Sequence, residues 1–152
     1  MTFINVFNIE GVTSMQILIQ SGDLGPKWFH VALRALVLMA ESNTLLKSNH
    51  IAELLGEDPT ALRKILAKLT KAELVKAQGG RYGGYCLEKD PSKITVKDVY
   101  NAFDTHPTPY WSVPSTGSEL YISLIISKAE EQFQSTLQSY TIKDILNYKS
   151  KS

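Results

Sequence analysis

The chain has a single cysteine in 152 residues. That excludes an internal disulfide framework and fits a reducing, cytoplasmic setting. No run of about 18 uncharged apolar residues is present, so no membrane-spanning helix is expected. Residues 1–14 contain no Lys or Arg and no extended apolar core, so they do not read as a secretory signal. The three histidines are scattered, at 30, 50 and 106. They form no metal-ligand spacing and no Ser/His/Asp or Cys/His set of the kind nucleophilic catalysis needs. The glycine-rich run at 79–84 leads from one strand pattern into another rather than into a helix, so it is not a phosphate-binding loop. Together these absences argue against an enzyme. Net charge is only +1, so attraction for a polyanion would have to come from a local concentration of cations. At 43% hydrophobic and 20% charged residues, the composition is that of an ordinary globular chain able to bury a core.

What the sequence does contain is concentrated between Ser48 and Glu88. Two short helical patterns are separated by Gly56-Glu57-Asp58-Pro59, and a hairpin pattern with a glycine-rich tip follows. Helix, turn, helix, hairpin is the order of a winged helix-turn-helix, whose second helix enters the DNA major groove. Asp58 is a good N-cap for that second helix, and Pro59 suits the first helical position. Leu62, Ile65, Leu66 and Leu69 make one buried stripe, and the periodicity predicts a recognition helix over Pro59–Glu73. Thr60, Arg63, Lys64, Lys68 and Lys71 fall largely on the other side. From Pro59 to Arg81 six Lys or Arg stand against the single acid Glu73, a local net charge of +5. Such a concentration suits a phosphate backbone, although lysine-rich helix faces are also common as plain solvated surface.

Arg63 and Lys64 are the candidates for base edges, because their donors match the guanine acceptors. Lys68 and Lys71, further along, are candidate phosphate contacts. Ser48 and Asn49 stand where the preceding helix begins. Ser48 is an expected N-cap, and both can donate to a phosphate from that helix terminus. The hairpin is expected over Leu74–Glu88, with Arg81 and Tyr82 at its tip. An arginine presented on a narrow ribbon can enter a minor groove.

These residues bring a family into view. Ala32–Leu36 (A-L-R-A-L), Ile51–Gly56 (I-A-E-L-L-G), Leu62–Val75 (L-R-K-I-L-A-K-L-T-K-A-E-L-V), Gly83–Asp90 (G-G-Y-C-L-E-K-D) and Ile94–Val99 (I-T-V-K-D-V) occur in order over about residues 27–104. In this combination the chain resembles the Rrf2 family of bacterial transcription regulators. The resemblance implies a mainly α protein with a small β-hairpin wing: a winged helix-turn-helix followed by a long C-terminal dimerisation helix. It implies a homodimer bound to a partly palindromic double-stranded DNA operator, most often as a repressor. Three departures stand out. Trp28-Phe29-His30 replaces a Lys-Gly-Arg common in the family, Arg63 stands where relatives often carry Glu or Gln, and Gly79 replaces an arginine before the wing glycines. The operator should therefore differ from that of such members, with Arg81 substituting at the wing.

The resemblance frames the remaining chain as four segments. Residues 1–14 form an N-terminal extension whose apolar alternation fits either an edge strand or no ordered structure. Residues 15–104 form the DNA-binding domain, opening on a first helix over about Lys27–Glu41. Thr95-Val96-Lys97-Asp98 is a capping-box pattern, opening a short helix to about Asp104. Residues 105–117 form a stiff loop with prolines at 107, 109 and 114. Cluster-binding members carry there the cysteines that hold an iron–sulfur centre. This chain has none in that stretch, and thiolates are the ligands such clusters need, so no cofactor is expected. His106, Tyr110 and Trp111 make the loop aromatic instead, either a pocket for a small effector or a loop tied down by packing. Residues 118–152 form the dimerisation helix, over about Ser118–Tyr140, and a short final helix over 141–148 with a fraying Lys-Ser tail. Ile122, Ile126, Ala129, Phe133 and Leu137 are the expected dimer seam. Cys86, in the wing's second strand, is read as a small apolar residue, with a redox sensor as the alternative. A winged-helix protein–protein adaptor without DNA binding is the reading from another class. It would have no use for the basic recognition helix and wing.

Overall fold

The computed structural model describes residues 27–103 and 117–151. The effector-pocket residues His106, Tyr110 and Trp111, and the extension 1–14, lie outside the described residues. The elements run α1 (Trp28–Glu41), α2 (Ser48–Leu55), α3 (Pro59–Lys71), β1 (Val75–Gln78), β2 (Gly84–Leu87), a 3₁₀ turn (Pro91–Lys93), α4 (Val96–Ala102), α5 (Gly117–Gln138) and α6 (Ile142–Lys151). The chain is mainly α with a two-stranded antiparallel hairpin, as the sequence implied.

Helix α1 is the hub, packing against α2, α3, α4, α6 and β2. It can do so because Trp28, Phe29, Val31, Ala32, Ala35, Leu36, Val37 and Met39 are all buried, more than one face of the helix. Trp28 and Phe29 were expected only as a departure from the family pattern. They anchor an aromatic cluster in which Trp28 lies 4.0 Å from Phe103, Phe29 lies 6.0 Å from Tyr100, and Tyr100 lies 5.2 Å from Phe133. Aromatic pairs at these separations add to their area burial.

Helix ends follow local chemistry. Asp58 caps α3 by accepting from the Ala61 N–H at 2.9 Å. Gly56, in the left-handed region at φ 68°, closes α2. Thr95 and Asp98 form the expected capping box of α4. A second such box went unread: Thr141 and Asp144 exchange the same pair of bonds at 2.9 and 3.1 Å and start α6. Asp90 accepts from both the Ser92 hydroxyl and its backbone N–H, which holds the carboxyl below its usual pKa.

Four expected boundaries are corrected. Helix α2 begins at Ser48, but its N-cap is Lys47, and no side chain caps it. Ser48 is therefore the first helical residue, not the cap. Helix α3 ends at Lys71 rather than Glu73, because Glu73 turns into the left-handed region at φ 62°. Helix α5 starts at Gly117, so Ser118 lies inside it. Helix α6 runs on to Lys151 rather than stopping at 148. Backbone bonds from Val96 N–H to the Tyr140 carbonyl (2.8 Å) and from Ile142 N–H to the Ile94 carbonyl (2.9 Å) pin the α5–α6 junction to the start of α4.

Candidate nucleic-acid interface

The stripe Leu62, Ile65, Leu66 and Leu69 is buried as expected and seats α3 against the hub. The opposite side of α3 is thereby turned outward: Thr60, Arg63, Lys64, Lys68 and Lys71 are all exposed. Arg63 is the best placed of them. Its Nη1 donates to Asn49 Oδ1 at 3.3 Å, and its Nη2 donates to Thr60 Oγ1 at 3.4 Å. Three residues singled out in the sequence thus meet at one point, where the first turn of α2 passes the first turns of α3. The guanidinium is held by two neutral acceptors, and neither of these bonds offsets its charge.

The hairpin pairs Val75 with Leu87, Lys76 with Cys86, Ala77 with Tyr85 and Gln78 with Gly84. Its tip carries Arg81, 5.8 Å above the ring of Tyr82, which is 84% exposed. Two kinds of glycine build the tip. Gly80 adopts φ 95°, a conformation other residues rarely hold, whereas Gly83 is needed for space. A Cβ on Gly83 would stand 2.0 Å from the Gln78 carbonyl oxygen.

Two features of this site were not read from the sequence. Leu46 forms an isolated β-bridge to the wing, exchanging bonds of 3.0 and 2.8 Å with Tyr85, and this backbone approach leaves no room for a Cβ on Gly84. Lys47 donates from Nζ to the Gly83 carbonyl at 3.1 Å, clamping the tip end of the wing to the start of α2. Between them lies a shallow cleft of about 210 Å³ lined by Lys47, Ser48, Asn49, Gln78, Gly80, Gly83, Gly84 and Tyr85. The cations of α3, the N-terminus of α2 and the wing belong to one connected surface. Cys86 is half-buried in β2.

A basic helix-turn-helix with a hinged-on β wing defines a winged-helix DNA-binding protein. The chain belongs to the Rrf2 family, whose model, described as an iron-dependent transcriptional regulator, matches residues 27–148. Among relatives, the HTH-type transcriptional regulator NsrR of Oceanobacillus iheyensis is 28% identical over 128 residues, covering 79% of this chain and 87% of that one. Among solved structures, T. potens IscR has a TM-score of 0.66 at 26% identity over 79% of this chain and 83% of that one. CymR, the global cysteine regulator of B. subtilis, shares the fold with a TM-score of 0.60 at 23% identity, over 78% of this chain and 94% of that one. The NsrR relative is thus an HTH-type transcriptional regulator, in keeping with the family description.

The family description carries iron, which would need a convergent set of donors. The whole chain offers one thiol, Cys86, opposite Lys76 in the hairpin. Among the described residues no three His, Cys, Asp or Glu converge on a point. Iron–sulfur centres are held by several thiolates, and these residues do not fit one. Among the described residues, too, no helix is long and apolar enough to cross a membrane.

Proposed function

We propose that this chain is a sequence-specific transcription regulator that acts as a homodimer, with α3 in the major groove and the wing in the minor groove. It represses by occupying its operator. One observation carries the reading: Arg63 is held between Asn49 and Thr60 on the exposed, cationic side of α3. Arg63 and Lys64 read base edges. Lys68 and Lys71 meet phosphates, as do Ser48 and Asn49 at the helix terminus, and Lys47 supports them. Arg81 and Tyr82 enter the minor groove. A DNA partner places the protein in the cytoplasm. No iron–sulfur cofactor takes part.

The dimer reading rests on α5. Toward its C-terminal end Leu137 is buried and Phe133 packs on Tyr100, so these two serve the chain's own core. Toward its N-terminal end Leu120, Tyr121, Ile122, Leu124 and Ile125 are each 47–67% exposed. A run of large apolar side chains left in water is the mark of an interface. The seam is therefore Leu120–Ile126 with Ala129, rather than the whole expected stripe.

The test is fluorescence anisotropy of the purified protein on duplexes tiled across the DNA upstream of its own coding region, at two salt concentrations. Tight binding to one tile, weakened steeply by salt, is the expected result. No binding to any tile even at low salt would move the chain to the adaptor class.

A further inference from the structure

The cationic DNA face does not use the largest cavity among the sites described, which lies on another side of the hub. Helices α1, α2 and α6 enclose a groove of about 660 Å³. Its floor is apolar, built from Leu33, Val37, Leu55 and Ile145. Leu54, 52% exposed, and Tyr148, 79% exposed, stand at its edge. The rim is of one kind. His30 and Arg34 stand one turn apart on α1, Lys149 faces them from α6, and among the described residues no Asp or Glu lines the groove.

The two cations are held in place from outside it. Arg34 donates to the Leu55 carbonyl at 3.3 Å and lies 4.0 Å from Glu57, while Lys149 donates to Glu41 at 2.9 Å. A guanidinium has five N–H donors, so these contacts orient Arg34 without exhausting it. The size is that of a small-molecule site, and a few convergent polar groups on an apolar lining is the usual make-up of one.

We infer that this groove binds a small apolar carboxylate, its hydrocarbon body on the leucine floor and its carboxylate among His30, Arg34 and Lys149. The site goes beyond the DNA reading and does not depend on it. It is placed to communicate with that face, however. Leu54 and Leu55 end α2, and the other end of α2 carries Asn49, which holds Arg63. A ligand wedged at one end of α2 therefore bears on the helix that positions the arginine.

Decanoate is the probe, titrated calorimetrically into the full chain with no DNA present. Decanol and decylamine serve as neutral and cationic counterparts with the same hydrocarbon body. One decanoate per chain is expected, in the micromolar range, with decylamine roughly tenfold weaker or worse. Leu54→Asp places a like charge at the mouth of the groove on an already exposed position. It should weaken decanoate roughly tenfold while leaving the thermal melt and operator binding unchanged. Lys149→Gln should weaken it severalfold. No decanoate binding overturns the inference, as does equal binding of all three probes or indifference to both substitutions. If decanoate fails to bind and Leu54→Asp turns a sedimenting dimer into monomers, the groove belongs to a second copy of the chain. All of these outcomes are read without DNA, so they stand or fall separately from the tiling experiment.

Discussion

Asp58 shows how much one side chain settles. Its carboxylate takes the Ala61 N–H at 2.9 Å, fixes the first turn of α3 and thereby sets where Thr60 and Arg63 emerge. Asp58→Ala should cost about 1 kcal/mol, the usual value of an N-cap, seen as a lower urea midpoint with an unchanged slope. A changed slope would mean that the substitution altered more than the cap. Arg63 depends on Asp58 in turn: its two acceptors, Asn49 and Thr60, come from different helices and meet only if both helix starts are placed. Cys86 and Lys76 face each other across the hairpin without a role in this arrangement.

At the scale of elements, the wing is the part whose shape depends most on what is missing from its side chains. Gly83→Ala would push a methyl group to 2.0 Å from the Gln78 carbonyl, so the tip must open. The expected cost is about 1–3 kcal/mol, with a larger relative loss of DNA affinity than of thermal stability. Unchanged affinity would show that the wing does not touch DNA.

The elements differ in how legible they were. The recognition helix could be read because its cap, its proline and its apolar stripe all lie within one short stretch, Asp58–Leu69. The hairpin could be read from its glycines, although only Gly80 needs positive φ and Gly83 and Gly84 need space. The β-bridge at Leu46 could not, because its partner Tyr85 is distant in sequence and the contact is backbone to backbone. The Lys47 clamp on Gly83 escaped for the same reason. Thr141-Ile142-Lys143-Asp144 did carry a local signal, repeating the pattern of Thr95-Val96-Lys97-Asp98, and went unused. On α5, periodicity marked one stripe but could not tell the end buried under Tyr100 from the end left in water. That distinction is tertiary.

At the scale of the whole molecule, the proposed dimer joins two surfaces. The basic face belongs to one chain, and the exposed start of α5 asks for a second. A two-fold dimer presents two recognition helices to two half-sites, so losing the seam should remove most operator affinity without harming the fold. Ile122→Asp, at a position 54% exposed, should sediment as a monomer with a near-native melt and bind the operator far more weakly. A mutant that remains dimeric would place the seam elsewhere.

The central claim is that Arg63 reads a base while its basic neighbours only hold the backbone. It is tested most directly by measuring Kd for the wild type, Arg63→Ala and Lys68→Ala on the operator tile and on a random duplex of equal length. Arg63→Ala should lose about 1–3 kcal/mol on the operator and little on the random duplex. Lys68→Ala should weaken both alike and lower the salt slope by about one. Equal losses on the two duplexes for Arg63→Ala would contradict the account and reduce its guanidinium to one more phosphate contact.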